Sequence, residues 1–371
     1  MGGLKTLKLK LLKVGLNTCY QICYYVNRGR QQQITFATMR STSLADNLQA
    51  VYQTFERANT PNLKVSCYHY DHSFKSKLGF LWASLRALNT LSRSELFIVD
   101  DYFFPLYAIN KQPQNKVVQL WHAVGTLKKF GLSLPGAEKS ILKPHTNYDW
   151  VFINSEENRA AYEQAFEIDS SRVLVTGAPM LDALLAQTPQ TLVGPKRLLY
   201  SPTYRPGLDG EQQVLAYVQD FVTAGQALTS DWEIYISLHP YLSLPALNLP
   251  KNYHIFQDAQ QVKALMPSMA LFITDYSSLS LNFSYFERPI LLLTPDYQDY
   301  LKKTGFYVDY YQAIGAPHFD AATQLVQFIN QELSTLDLSY VSALKASTFA
   351  HQDRQNSQRV YDYLSHIIKS S

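Results

Sequence analysis

Two histidines, each at the end of a β-rich run, are the residues of this chain best placed to do chemistry. The first lies in Gln119-Leu120-Trp121-His122-Ala123-Val124-Gly125-Thr126-Leu127-Lys128-Lys129-Phe130-Gly131, where a strand-like run over 117–121 delivers an imidazole to the mouth of a loop. Two glycines and a Lys-Lys pair follow. Chemistry on a phosphate needs a base that is neutral near pH 7 and positive charge to hold the anion, and this segment supplies both. The second, His239, ends a similar run, and Pro240 fixes the exit from it. Either histidine alone reads more readily as a structural residue. Two segments of one type, in different halves of the chain, raise the functional reading.

Further constellations have the right residue types. Tyr200-Ser201-Pro202-Thr203-Tyr204-Arg205 ends a strand with a rigid turn and an arginine, whose planar fork suits phosphate oxygens. The plain alternative is a surface arginine. Thr274-Asp275-Tyr276-Ser277-Ser278 reads as a strand running into a helix, with the N–H groups and hydroxyls around Ser277 and Ser278 forming a cradle for a diphosphate. Equally, Asp275 or Ser277 is an ordinary helix cap. Glu287, closing that helix, either accepts from ribose hydroxyls or faces solvent; Lys302, Lys303 and Tyr307 fit a solvated face. No Asp-x-Asp or carboxylate cluster stands where a metal-held diphosphate would need it, so neither a tightly bound metal nor a cofactor is expected.

The elements that must position these residues follow an alternating α/β pattern. Strands are expected at 34–39, 63–68, 95–100, 117–121, 150–154 and 172–176, with helices at 43–56 and 74–91 and Ser155 capping the turn that carries Glu156 and Glu157. The run Leu96-Phe97-Ile98-Val99 is of the kind buried parallel strands show. After a Pro- and Gly-containing linker at 189–196, a second series gives strands at 197–201, 232–238, 253–256, 271–274 and 290–293. Helices are expected at 209–228, 277–286, 321–333 and 340–368. A chain of 371 residues with 46% hydrophobic and 17% charged residues is globular and long enough for two cores. The reading is an α/β protein of two Rossmann-like, doubly wound domains facing a cleft, with ligands at the carboxyl ends of the strands, where both histidines fall. The divisions are 1–30, 31–190 and 191–371, the last helix packing back on the first domain.

The charge is uneven. Before Asp46 there are seven cations and no acid, which leaves 26 basic against 30 acidic residues in the remainder. Leu4, Leu7, Leu11, Leu12, Leu16 and Cys19 recur at helical spacing among Lys5, Lys8, Lys10 and Lys13, followed by Tyr20, Tyr24 and Tyr25. This segment 1–30 reads as a basic amphipathic helix suited to an anionic membrane surface. The alternative is a helix packed on the first domain. It is too short of apolar residues to span a bilayer, and lysines interrupt it as a signal peptide. Cys19, Cys23 and Cys67 are too few for a disulfide framework, consistent with a reducing compartment. No nucleic-acid partner is expected.

Taken together, these motifs resemble the CDP-glycerol glycerophosphotransferase family, which includes the teichoic acid primases and polymerases. The resemblance rests on Leu120-Trp121-His122-Ala123 with Lys128-Lys129-Phe130-Gly131, Tyr148-Asp149 through Ser155, and Thr176-Gly177-Ala178-Pro179 with Asp182. It continues through Ser201-Pro202-Thr203-Tyr204-Arg205, Leu238-His239-Pro240, Ile273-Thr274-Asp275-Tyr276-Ser277-Ser278, and Gly305-Phe306-Tyr307 with Asp309. These run in order from Leu120 to Asp309. One departure is that Ala123-Val124-Gly125-Thr126 is a residue longer than the Trp-His-Gly-Thr-Pro of many members, which bears on the choice of acceptor and polyol.

The resemblance implies a GT-B architecture and peripheral binding to the cytoplasmic face of the membrane. The donor would be CDP-glycerol or another CDP-polyol, and the acceptor a lipid-linked saccharide or polyol-phosphate chain. His122 would take the proton from the acceptor hydroxyl. His239 and Arg205 would bind the diphosphate, with N–H groups at Ser277 and Ser278 holding its oxygens, and Lys128 would neutralise the acceptor; Asp275 and Glu287 complete the expected substrate contacts. The rivals are a GT-B glycosyltransferase releasing a nucleoside diphosphate, and a non-catalytic membrane-docked module.

Overall fold

The computed structural model describes residues 2–29, 32–68, 74–192, 194–229, 231–240, 242 and 249–370. Met1, the expected boundary at 30/31, Val193 in the expected linker and Ser371 lie outside the described residues, as do the side chains of Leu4 and Lys5. The chain divides into two units, Met1–Leu185 with Ala350–Ser371, and Ala186–Phe349.

Unit 1 is built on six parallel strands, β1 (Gln33–Thr38), β2 (Leu63–Cys67), β3 (Ser94–Val99), β4 (Lys116–Gln119), β5 (Trp150–Ile153) and β6 (Val173–Val175), in the order β2-β1-β3-β4-β5-β6. Helices α1 (Gly2–Val26), α2 (Asp46–Arg57) and α3 (Phe74–Ser92) cover it together with the helix Asn356–Ser370. The run Leu96–Val99 is apolar throughout because both faces of β3 are buried. Phe97 and Val99 pack with Val117, Val151 and Ile153 against Leu16 and Tyr20 of α1 and Leu88 and Leu91 of α3. Leu96 and Ile98, on the opposite face, meet Leu48, Val51 and Phe55 of α2 and Val360 and Leu364 of the last helix. The strand order reverses between β1 and β3, which opens a crevice at their carboxyl ends.

The first helix packs on unit 1, the alternative weighed for this segment. Leu16, Tyr20 and Tyr24 are buried. The Tyr20 hydroxyl donates to Asn115 Oδ1 at 2.7 Å and the Tyr24 hydroxyl to Gln114 Oε1 at 2.6 Å. These two tyrosines, expected at a membrane interface, are instead the inward face of α1. Its outward face still carries Leu7, Leu11, Val14 and Ile22.

The segment Thr176-Gly177-Ala178-Pro179 with Asp182 has a structural role. Gly177 has φ +80°, and a Cβ there would fall 1.9 Å from Asn356 Oδ1, so only glycine fits. The Asp182 carboxylate accepts from the N–H groups of Asn356 and Ser357 at 3.0 and 2.8 Å and from the Ser357 hydroxyl at 2.7 Å, capping the last helix.

Unit 2 holds β7 (Lys196–Ser201), β8 (Trp232–Ser237), β9 (Tyr253–Phe256), β10 (Leu271–Thr274), β11 (Ile290–Leu293) and β12 (His318–Phe319), all parallel, in the order β12-β11-β10-β7-β8-β9. Leu198, Ile234, Ile273 and Leu291 pack under Val214, Val218 and Phe221 of the helix Leu208–Gly225 and Leu325 and Ile329 of the helix Ala322–Gln331. The two-residue β12 was not among the expected strands, because two residues show no alternation. The expected helix at 340–368 is two, Ser339–Thr348 and Asn356–Ser370, and the break falls where the chain returns to unit 1. The helix expected from 43 begins at Asp46, and the one expected at 277–286 is a short α-helix, Leu279–Phe283, continued by a 3₁₀ turn. Ser155 caps no backbone group; its hydroxyl donates to Asn158 Oδ1 at 3.1 Å.

Asp182→Ala should lower the stability of unit 1 by about 1–2 kcal/mol. The check is the urea midpoint of its unfolding transition, followed by circular dichroism.

Candidate active site

Strand β4 stops at Gln119, two residues earlier than expected, because Trp121 takes a left-handed conformation with φ +53°. A bulky residue rarely adopts that region. The turn carries His122 beside the carboxyl end of β3. His122 Nδ1 lies 3.5 Å from Asp101 Oδ1 and 3.3 Å from the Asp100 carbonyl oxygen. Nε2 has no hydrogen-bond partner among the described residues, and 30% of the side chain remains exposed. Burial pushes the imidazole below its ordinary pKa, against the pull of Asp101. The ring is therefore neutral at physiological pH, with one nitrogen engaged and the other available to take a proton.

Behind this histidine lies an ionic cluster that the sequence reading did not single out. Arg40, two residues past β1, places Nη2 2.7 Å from Asp46 Oδ2 and 3.9 Å from Asp100 Oδ2. Asp100 is 1% exposed, and its Oδ1 finds no partner among the described residues. Burial raises this carboxyl to about 7, with Arg40 opposing. Burial also acts against the charge on Arg40, but Asp100 and Asp46 outweigh it. A signal for Asp100 and Asp101 existed: an acidic pair directly after the most apolar strand follows the rule that selected His122.

An aromatic layer supports the turn. The Trp121 indole lies 4.4 Å from the His122 ring, stacks on Phe130 at 4.9 Å and meets His145 edge-on at 5.3 Å, between ring centroids. His145 is buried, accepts or donates at Nδ1 to the Tyr148 hydroxyl at 3.0 Å, and is pushed down to about 3 by burial. It is a packing histidine. Lys128 lies half-buried six residues beyond His122.

In unit 2 the exits of β7, β8 and β10, neighbours in the sheet, gather several expected residues. The His239 ring stacks on Tyr204 at 4.8 Å. Arg205, beside Tyr204, does not present the open fork expected of it. Its Nε and Nη2 grip Asp296 at 3.0 and 2.9 Å, and Nη1 reaches Asp275 Oδ2 at 2.7 Å and the Thr203 carbonyl at 2.6 Å. Arg205 is 7% exposed; burial opposes its charge, and Asp275 and Asp296 more than restore it. Asp275 is likewise turned inward. It accepts from the Thr203 N–H at 2.8 and 3.0 Å and from the Tyr276 N–H, and so caps a turn between two strand exits, not a helix.

Ser277 and Ser278 do stand at the start of the helix Leu279–Phe283. The Ser277 hydroxyl accepts from the Leu279 N–H at 3.2 Å, while the N–H groups of Ser277 and Ser278 donate to no described group. Glu287 does not join this group. It precedes β11, at the amino-terminal edge of the sheet, with φ +53° and its carboxylate 2.9 Å from Lys345 Nζ. Asp296 was missed because only the sheet order brings the exit of β11 to Arg205. No cluster of metal-ligating side chains occurs among the described residues.

His122 at a strand exit of unit 1, and N–H groups of Ser277 and Ser278 without described partners at a strand exit of unit 2, are features a group-transfer enzyme can use. Comparison with known proteins identifies the family. The profile of the CDP-Glycerol:Poly(glycerophosphate) glycerophosphotransferase family matches residues 19–366. The chain is 26% identical to the teichoic acid ribitol-phosphate primase of Bacillus spizizenii, over 99% of each chain. It is 25% identical to the teichoic acid glycerol-phosphate primase of Bacillus subtilis, over 76% of this chain and 77% of that one. Its fold is similar to that of the wall teichoic acid polymerase TagF, with a TM-score of 0.70, 18% identity, and coverage of 100% of this chain and 99% of that one. The chain belongs to the CDP-glycerol:poly(glycerophosphate) glycerophosphotransferase family. It is an enzyme of the teichoic acid transferase type, and membership sets aside the glycosyltransferase and non-catalytic readings.

Asp100 makes a pH prediction. A carboxyl whose pKa is raised on folding, here from 3.8 to about 7, contributes stability in full below its unfolded value and loses it as pH rises through the folded value. Unfolding free energy should therefore fall between about pH 4 and 7 more steeply in the native chain than in Asp100→Asn, measured by denaturant titration across that range.

Proposed function

We propose that this enzyme transfers glycerol phosphate, or a related polyol phosphate, from a CDP-polyol to a hydroxyl of a membrane-associated acceptor in one in-line displacement. The observation that carries the reading is the geometry of His122: Nδ1 lies against Asp101 and the Asp100 carbonyl, Nε2 meets no described group, and burial lowers the pKa of the ring. The acceptor O–H gives its proton to Nε2 as its oxygen bonds to the phosphorus bearing the polyol. The bond from that phosphorus to the bridging oxygen breaks, and CMP departs with the electron pair. General-base assistance of this kind contributes roughly 10²–10⁴-fold.

The donor diphosphate is assigned to unit 2. The N–H groups of Ser277 and Ser278, without partners among the described residues, suit its oxygens, and His239 adds a donor at the exit of β8, two strands along the sheet. Arg205, closed on Asp275 and Asp296, is assigned a supporting role: it holds the Thr203 turn and the β10 exit that shape this cradle. Lys128 is assigned to the anionic acceptor. The two six-stranded sheets are read as the halves of a GT-B-type architecture.

Delivery to a membrane-held acceptor is assigned to α1 and α3, on the cytoplasmic face. No helix among the described residues is long and apolar enough to cross a membrane. The outer faces of α1 and α3 expose Leu7, Leu11, Val14, Ile22, Leu78 and Trp82, the last two at 61% and 68%, and Lys8 and Lys10 stand exposed among them. Apolar side chains ringed by lysines suit an anionic bilayer surface, where each lysine adds about 1 kcal/mol.

CMP release from CDP-glycerol, CDP-ribitol, UDP-glucose and UDP-N-acetylglucosamine, with membrane extract supplying acceptors, tests the reaction. Release from one CDP-polyol is expected, with His122→Gln reducing it by at least about 10²-fold while CDP-polyol binding persists; near-native turnover by that variant would remove the base. In flotation assays, Leu11→Glu with Trp82→Glu should abolish binding to anionic vesicles, and the native chain should bind neutral vesicles weakly. Equal binding by the double variant would sink the membrane assignment.

A further inference from the structure

His122 depends on a left-handed tryptophan, and two buried amides hold that residue in place. Asn47, on the first turn of α2 and 1% exposed, donates through Nδ2 to the Leu120 carbonyl at 3.1 Å and to the Trp121 carbonyl at 3.0 Å. Its Oδ1 accepts from the Met180 N–H at 2.8 Å, which fixes the orientation of the amide. Gln119, the last residue of β4 and fully buried, works from the other side. Its Oε1 accepts from the Trp121 N–H at 2.8 Å, and its Nε2 donates to the Asp101 carbonyl at 3.1 Å and the Tyr148 hydroxyl at 2.9 Å.

The geometry points to Asn47 and Gln119 as positioning residues for His122. Between them they satisfy the N–H and C=O of Trp121, the groups a left-handed turn withdraws from the β ladder. They also join the two loops that must stay in register: Gln119 bonds the Trp121 backbone and the Asp101 backbone at once, so the imidazole and the carboxylate facing it are set by one side chain. Such a conformation, in a bulky residue, persists only where surrounding structure over-determines it. A displacement of about 1 Å at a base is enough to cost about 10²-fold in rate. The inference rests on the assignment of His122 as the base and adds what holds it in place.

The test uses the full chain. Asn47→Asp keeps an acceptor for the Met180 N–H and removes the donor to both carbonyls; Gln119→Glu keeps an acceptor for the Trp121 N–H and removes the donor to Asp101. Asn47→Ser, which shortens the reach without burying a charge, serves if either fails to fold. Each variant should lose about 10–100-fold in kcat for CMP release, with CDP-polyol affinity by calorimetry changed by less than about twofold. The His122 titration, followed by NMR of histidine-labelled protein and assigned by its loss in His122→Gln, should shift as the contact with Asp101 alters. Native kcat with an unmoved titration overturns the inference. So does a loss of rate matched by loss of folded protein at the assay temperature with the titration unmoved. Near-native turnover by His122→Gln instead defeats the base assignment, and leaves the titration in the Asn47 and Gln119 variants as a separate reading of the clamp.

Discussion

The Arg205 guanidinium, closed between Asp275 and Asp296, ties together the exits of β7, β10 and β11 in unit 2. A buried ion pair of this kind is weak evidence of net stability, because desolvating three charges offsets most of their attraction. Removing one partner is another matter, costing about 3–5 kcal/mol, since it strands buried charge. Its value here is geometric. Tyr276 donates to Asp296 at 3.0 Å and the Tyr310 hydroxyl bonds the Asp275 carbonyl, so the strand exits beside Ser277 and His239 have one arrangement.

Unit 1 solves the same problem with neutral groups. A histidine must be held at a parallel strand's exit, where the backbone loses its ladder partners. The solution is a tight left-handed turn, aromatic packing beneath it and amides on either side. Keeping formal charge out of that immediate support leaves Asp101 as the carboxylate facing Nδ1. Arg40, Asp46 and Asp100 stand behind it, and the charges of Arg40 and Asp46 still reach the imidazole. The two centres thus hold their strand exits by different contacts, amides in one and an ion cluster in the other.

The first helix shows how one amphipathic pattern carries two faces. Leu16, Tyr20 and Tyr24 recur at four-residue spacing and bury against the sheet, while Leu7, Leu11, Val14 and Ile22 recur on the other side and remain exposed. Read from sequence, the leucines merged into one stripe among lysines. Hydrophobic periodicity reports that a face is apolar; it does not say which apolar face meets protein.

By itself the sequence determined the parts that depend on neighbours along the chain. Apolar runs such as Leu96–Val99 specify buried parallel strands, and alternation with helices specifies two series of them. The placement of His122, His239, Ser277 and Ser278 after strands was legible because position after a strand is a local property. Which partners those residues take was decided only by the tertiary structure. Arg205 and Asp296 are 91 residues apart, and Asn47 and Leu120 are 73 apart. The order of strands in the sheet makes them neighbours, and no periodicity records that order. Hence Arg205, which in sequence is an open cation, is closed in the fold; Glu287, near Ser277 in sequence, lies at the opposite edge of the sheet; and Asp101, unremarked in sequence, faces the histidine. A polar side chain's chemistry is set by what lies within about 3 Å of it, and in this chain those groups arrive from distant segments.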